Sequence, residues 1–266
     1  MNFLTRRSAL LTLPLLLASA AIAAPDSAPP ATGEDEGPAP SEIRHRAPWH
    51  QNRRLAPQQD RSFPRTTLET SAELGAAYTG GTWEHFIADL TTDTEYAPWQ
   101  AVLKVAPAAK VARPAGTQFD FLGVPAGETI SILPQFQRAG LLYLAVSNED
   151  QVGGTFSSYD VTTESGGRVK GTAPWVKWRL LAVKGPGAFS AYTLGSFGKV
   201  TTWFSNADGI DQNDAVWVKE REDLHLNWAF TKPGFYRVVA VVSAYLPGQT
   251  QPVYSRPVIY RFSVEP

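Results

Sequence analysis

Between Glu222 and Leu246 the chain reads EDLHLNWAFTKPGFYRVVAVVSAYL, and no other stretch limits its fold so tightly. A short apolar segment runs into a Lys232-Pro233-Gly234 turn and then into a long alternating segment. After the turn, Tyr236, Val238, Ala240, Val242 and Ala244 fall on one face, with Phe235, Arg237, Val239, Val241, Ser243 and Tyr245 on the other. Period two with β-branched and aromatic residues is the signature of a strand. The C-terminal run alternates in the same way: Val258, Tyr260, Phe262 and Val264 face one side, Ile259, Arg261, Ser263 and Glu265 the other. A half-buried antiparallel hairpin closing the chain is the expectation, with Tyr260 and Phe262 inside and Arg261 outside.

The same pattern recurs from Thr67 onward. Expected strands cover Trp83–Leu90, Ala101–Ala106, Gln118–Val124, Thr129–Leu133, Leu141–Ser147, Trp175–Val183, Ala188–Leu194, Val200–Ser205, Ala215–Val218, His225–Thr231, Phe235–Leu246 and Val253–Val264. Gly80-Gly81, Gly153-Gly154, Gly166-Gly167, Gly185-Pro186-Gly187 and Pro247-Gly248 supply turn chemistry between them. No window of helical length beyond the N-terminus carries a 3.6-residue period. Residues 67–266 are therefore expected to form an all-β domain, an antiparallel β-sandwich of immunoglobulin-like or jelly-roll-like form.

Arg6-Arg7, the apolar run Ala9–Ala18 and the small-x-small site Ala21-Ile22-Ala23 mark residues 1–24 as a cleaved export signal. That run is shorter than the ~20 residues a spanning helix needs. Thr5-Arg6-Arg7-Ser8-Ala9-Leu10 also resembles a twin-arginine signal, and the route stays open between that and general secretion. Residues 25–66 are rich in Pro, Ala, Gln and charge without apolar period, as expected of a disordered tether. Acids come first in it, then Arg44, Arg46, Arg53, Arg54, Arg61 and Arg65. This arm is read either as solvated spacer or as a basic contact for an anionic envelope surface.

The absence of cysteine removes disulfides and thiolate chemistry. Net charge is −1, and loss of Arg6 and Arg7 lowers it to −3, so no basic surplus points to nucleic acid. No second long apolar segment suggests a transmembrane anchor. The protein is expected to be periplasmic or extracellular.

Several motifs in order carry a resemblance. They run from Glu73-Leu74-Gly75 and Tyr78-x-Gly80-Gly81-x-Trp83 through Phe119-Asp120-Phe121-Leu122-Gly123, Ala126-Gly127 and Leu133-Pro134-Gln135. Lys184-Gly185-Pro186-Gly187-x-Phe189 and Ser205-Asn206-Ala207-Asp208-Gly209 follow, then Asn227-Trp228-Ala229-Phe230 and Thr231-x-Pro233-Gly234-x-Tyr236. Over roughly 70–266 the chain resembles the choice-of-anchor M domain, whose C-terminal part is the actinobacterial surface-anchored protein repeat. The resemblance implies an exported, mostly β protein carried by varied anchors, some members standing beside metal-type ABC transporters. Here Asp223 occupies the position of the family's first histidine before Asn-Trp, and only His85 remains in the early strand.

Asp223 and His225 share a strand face at i and i+2 and would give a divalent metal such as zinc two ligands, with His85 as a third. The competing reading is a hydrogen bond ordering the hairpin. Asn206, Asp208 and Asp211 form an oxygen-rich loop that would suit calcium, although Gly209 comes too early for an EF-hand and no Glu closes it. The same residues are ordinary turn formers. Eight tryptophans offer either core or sugar-stacking faces. No Gly-x-Ser-x-Gly, His-Glu-x-x-His, P-loop or Gly-x-Gly-x-x-Gly occurs, and Glu84, Asp89, Asp120 and Asp160 are the carboxylates weighed for glycoside chemistry. The leading expectation is a non-enzymatic envelope binding or display module without cofactor, its partner an unidentified protein, glycan or transporter. The alternatives are a metal-binding accessory protein of an ABC transporter and a glycan-directed enzyme.

Overall fold

A computed structural model describes residues 65–266. The leader at 1–24 and nearly all of the tether at 25–66 lie outside the described residues, within which β structure begins at Thr66.

The strands in chain order are β1 (Thr66–Leu68), β2 (Ser71–Thr79), β3 (Thr82–Asp89), β4 (Thr94–Tyr96), β5 (Ala101–Val105), β6 (Lys110–Ala112), β7 (Thr129–Leu133), β8 (Tyr143–Ser147), β9 (Tyr159–Asp160), β10 (Thr172–Ala173), β11 (Trp175–Lys184), β12 (Phe189–Leu194), β13 (Val200–Ser205), β14 (Ala215–Lys219), β15 (Asp223–His225), β16 (Asn227–Phe230), β17 (Gly234–Ala244), β18 (Val253–Tyr254) and β19 (Val258–Val264). A seven-stranded sheet has the order β1-β5-β19-β17-β11-β14, with β18 beside β17. A five-stranded sheet, β13-β12-β16-β7-β6, is built around Trp228, and another, β15-β8-β2-β3-β4, ends on the His225 strand. β9 and β10 pair separately. The domain is all-β and sandwich-like.

The main core lies where the inner faces of the three large sheets meet. Tyr236, Val238, Ala240 and Val242 of β17 are buried there beside Tyr260 and Phe262 of β19, while Phe235, Arg237 and Ile259 are exposed. Arg261 is half-buried on the outer face. Each large apolar side chain so buried contributes ~1.5–3 kcal/mol. The expected antiparallel pairing of the two closing segments forms, with Tyr236 opposite Phe262 and Val238 opposite Tyr260.

Four expectations are corrected. Gln118–Val124 is not a strand: Thr117–Leu122 forms a 3₁₀ helix ended by Gly123 at φ 74. Its buried residues Phe119 and Leu122 are three apart, which a three-residue turn stacks on one side. His225–Thr231 is not continuous. The chain changes sheets at the buried Leu226, so His225 and Asn227 belong to different sheets. Val253–Val264 is interrupted by Pro257, which lacks an N–H for the ladder. The sandwich is not wholly antiparallel either, because β1–β5, β5–β19 and β2–β8 are parallel pairs.

β16 is buried on both faces. Trp228 and Phe230 enter the main core, while Ala229 packs with Phe119, Leu122, Ile130 and Tyr192 under the 3₁₀ segment. The Trp228 indole Nε1–H donates to the Leu144 carbonyl of the His225 sheet at 3.1 Å, tying two sheets together.

Candidate functional site

Asp223 and His225 do lie together: His225 Nε2 is 3.2 Å from Asp223 Oδ2, and the imidazole stacks on the Tyr143 ring at 3.5 Å between centroids. Both project from the face of β15 opposite to Leu224, which packs on the core. His85 is elsewhere. β3 is separated from β15 by β2 and β8, a backbone distance of ~14 Å at the usual strand spacing. It also shares the core-side face with Ile87 and meets Trp178 edge-on at 6.3 Å. The three expected ligands therefore do not converge. Among the described residues no three His, Asp or Glu side chains group as a metal site.

The oxygen-rich loop has its own cation. Arg168 donates to the carbonyls of Ser165 (2.9 Å), Thr202 (2.9 Å) and Asn213 (2.7 Å), and its guanidinium carbon lies 5.5 and 5.4 Å from the Trp203 and Trp217 ring centres. Asp214, the buried acid of the loop, accepts from the amides of Ser205 at 2.7 Å and Asp211 at 2.8 Å. Burial raises its pKa, the negative charges of Asp211 and Asp208 add to that, and the two amide bonds oppose it. Asn206 turns away to accept from the Phe189 amide at 2.7 Å, and Asp211 holds Asn213. Asn206, Asp208 and Asp211 thus do not present their oxygens to one point.

Trp175, Trp178, Trp203, Trp217 and Trp228 are buried, Trp83 stacks on Phe156, and Trp49 lies outside the described residues. Three of the weighed carboxylates are engaged locally: Asp89 with Thr91 and Thr92, Asp120 with Arg113, Asp160 with Thr162. Glu84 is exposed on β3.

A pocket that no sequence motif announces opens beside β19. β5 pairs with β19 only over Phe262–Val264, and β1 pairs with β5 from Ala101 to Leu103. Beside the first half of β19, where its β5 side has no partner strand, the Pro98-Trp99 turn lines a cavity of about 540 Å³. Trp99, Pro98, Pro257, Val258 and Ile259 give it apolar walls. Its polar groups are His85 and three arginines, Arg65, Arg256 and Arg261. Arg65 Nε donates to the Trp99 carbonyl at 2.9 Å, and Arg261 makes two long contacts of 3.3 Å to the carbonyls of Pro98 and Ile259. Burial first, then the like charges of Arg65 and Arg237, hold the Arg261 pKa below its ordinary value. His85 is half-buried overall, but both ring nitrogens are sealed and without a hydrogen-bond partner. Burial lowers its pKa from 6.5 to about 4, so the ring is neutral at physiological pH.

The sequence contains one signal for this site. Arg261 sits on the outward register of an expected hairpin strand, but Arg65, Trp99 and Arg256 are drawn from other stretches. The chain matches no protein-family model, no curated protein and no solved structure.

Proposed function

We propose that the chain is an exported, non-enzymatic binding module of the cell envelope, and that the pocket beside β19 is its ligand site. The observation that carries the reading is that pocket: about 540 Å³, apolar on its walls, with three guanidinium groups and, among the described residues, no acidic side chain lining it. Concave sites with mostly apolar walls and a few convergent polar groups are where small molecules bind. The N-terminal Arg6-Arg7 leader, the cysteine-free all-β domain and the resemblance to surface-anchored repeats support the envelope location.

Two measurements test the parts separately. Fractionation of cells expressing the full chain should place the mature form outside the cytoplasm, and a full-length protein retained inside would contradict export. Mass spectrometry of the natively purified protein, denatured to release its contents, should recover a stoichiometric small molecule that an Ile259→Glu variant of normal melting temperature lacks. Recovery of the same molecule from both would move the site elsewhere.

A further inference from the structure

We propose that the outer face of the seven-stranded sheet, from Lys184 across Arg237 and Arg261 to the pocket mouth at Arg65 and Arg256, is a docking track for a linear phosphate-bearing polyanion. This rests on the binding-module reading and names the chemistry of its ligand.

The first ground is the register. Lys184 stands directly opposite Arg237, and Arg237 directly opposite Arg261, so three neighbouring strands carry a cation in one row. Directly opposed residues have Cα atoms ~4.5–5.5 Å apart. Like charges in that position destabilise a sheet. Stability of the fold alone gains nothing from such a row.

The second ground is the missing counter-charge. Among the described residues no carboxylate lies within ion-pair distance of Lys184, Arg237, Arg256, Arg261 or Arg65. The same sheet does supply acids elsewhere. Lys104, on β5, is paired with Glu69 at 3.0 Å and Glu265 at 3.5 Å. Among the described residues the track therefore has no counter-charge while its neighbour Lys104 is neutralised.

The third ground selects the ligand. Apart from the neutral His85 ring, whose nitrogens are sealed, the polar side-chain groups of the pocket are donors. No carboxylate, carboxamide or hydroxyl side chain lines it to accept from a sugar hydroxyl. A ligand that offers mainly acceptors fits, and a phosphate chain does, with guanidinium forks matched to phosphate oxygens. A polyanion also repeats its charge along one axis, as the row of cations does across the strands. A bilayer fits less well. Phe235 is exposed, but it rises from the same pleated face as Arg237, and among the described residues it and Ile259 are the large exposed apolar side chains beside the row, too little apolar surface for insertion.

The probe is inorganic polyphosphate of defined length, titrated into the mature protein at two salt concentrations. The expected result is binding that weakens with salt, as screened charge contacts must. Arg237→Gln with Arg256→Gln should weaken it about tenfold or more, since each charge-assisted contact contributes of order 1 kcal/mol. Among the described residues neither side chain makes a hydrogen bond or ion pair, so the empty variant should be at least as stable as the parent. Arg53→Gln with Arg54→Gln should change little. Absence of polyphosphate binding, binding that depends on Arg53 and Arg54 instead, or tighter binding to polygalacturonate or to phosphatidylglycerol vesicles would each overturn the proposal. A neutral molecule recovered from the pocket without polyphosphate binding would sink this inference and leave the module reading standing. Nothing bound in either experiment would sink both.

Discussion

Two arginine environments in this domain differ in almost every respect. Arg168 reaches three backbone carbonyls, lies between two indole rings, and has Asp214 and Asp211 as nearby negative charges. Among the described residues Arg237, Arg256 and Arg261 have no acid paired with them, and Arg261 feels two other guanidinium charges. Arg168 is a satisfied strut holding loop to sheet. The second group is a set of like charges with few partners among the described residues, and the fold leaves Arg237 and Arg256 to solvent. A cation whose bonds are complete within the chain is explained by the fold; a row of opposed like charges without such partners is where the proposed ligand would act.

The largest effect should come from the interior that both regions are built on. Trp228→Ala should cost ~3–5 kcal/mol in a urea melt, because it opens the junction of two sheets and leaves the Leu144 carbonyl without its donor. Retention of parental stability with loss of a ligand would make Trp228 a site residue. Next, Arg168→Leu should cost ~2–4 kcal/mol, since it leaves the carbonyls of Ser165, Thr202 and Asn213 without their donor and removes the cation between two indoles. A neutral result would remove the distinction between the two arginine environments.

His85 gives a smaller effect that depends on pH. Its folded pKa is about 4 against 6.5 in the unfolded chain, so the unfolded chain binds the proton more readily. The contribution to stability is complete above 6.5 and is lost as pH falls from there towards 4, by an amount on the order of 2–3 kcal/mol. His85→Phe should flatten that part of the stability profile. At pH 7 it should be neutral or slightly stabilising, because it removes two buried nitrogens that have no partner. An unchanged slope between pH 6.5 and 4 would contradict the assignment. The smallest effect is at Arg237: Arg237→Gln should gain up to ~0.5 kcal/mol by relieving repulsion from Lys184 and Arg261.

Much of the architecture was legible in period-two alternation. Thr129–Leu133 and Val200–Ser205 appear with their expected bounds, and the closing hairpin has Tyr260 and Phe262 inside. Strand direction was not legible, because alternation is the same in parallel and antiparallel pairs. β2 was missed because Ala72, Leu74 and Ala76 share the strand with buried Glu73 and Ala77, so no clean alternation marks it. The Phe119-Asp120-Phe121 run imitated a strand, whereas burial follows Phe119 and Leu122. The site was hardest. Motif reading favours residues that are neighbours in sequence, such as Asp223 with His225 or Asp208 with Asp211. The pocket joins Arg65, Trp99, Arg256 and Arg261 through a parallel strand pair that nothing local announces.

The central claim is that the outer cations are kept for a ligand and against the stability of the empty fold. Thermal melts of the parent and of the Arg237→Gln, Arg256→Gln variant, each with and without polyphosphate, test it directly, since a ligand that binds only the folded state raises the melting temperature. The account predicts a ligand-free variant at least as stable as the parent, together with loss of most of the polyphosphate-induced rise. A variant that is less stable when empty and still stabilised by polyphosphate to the full extent would contradict it.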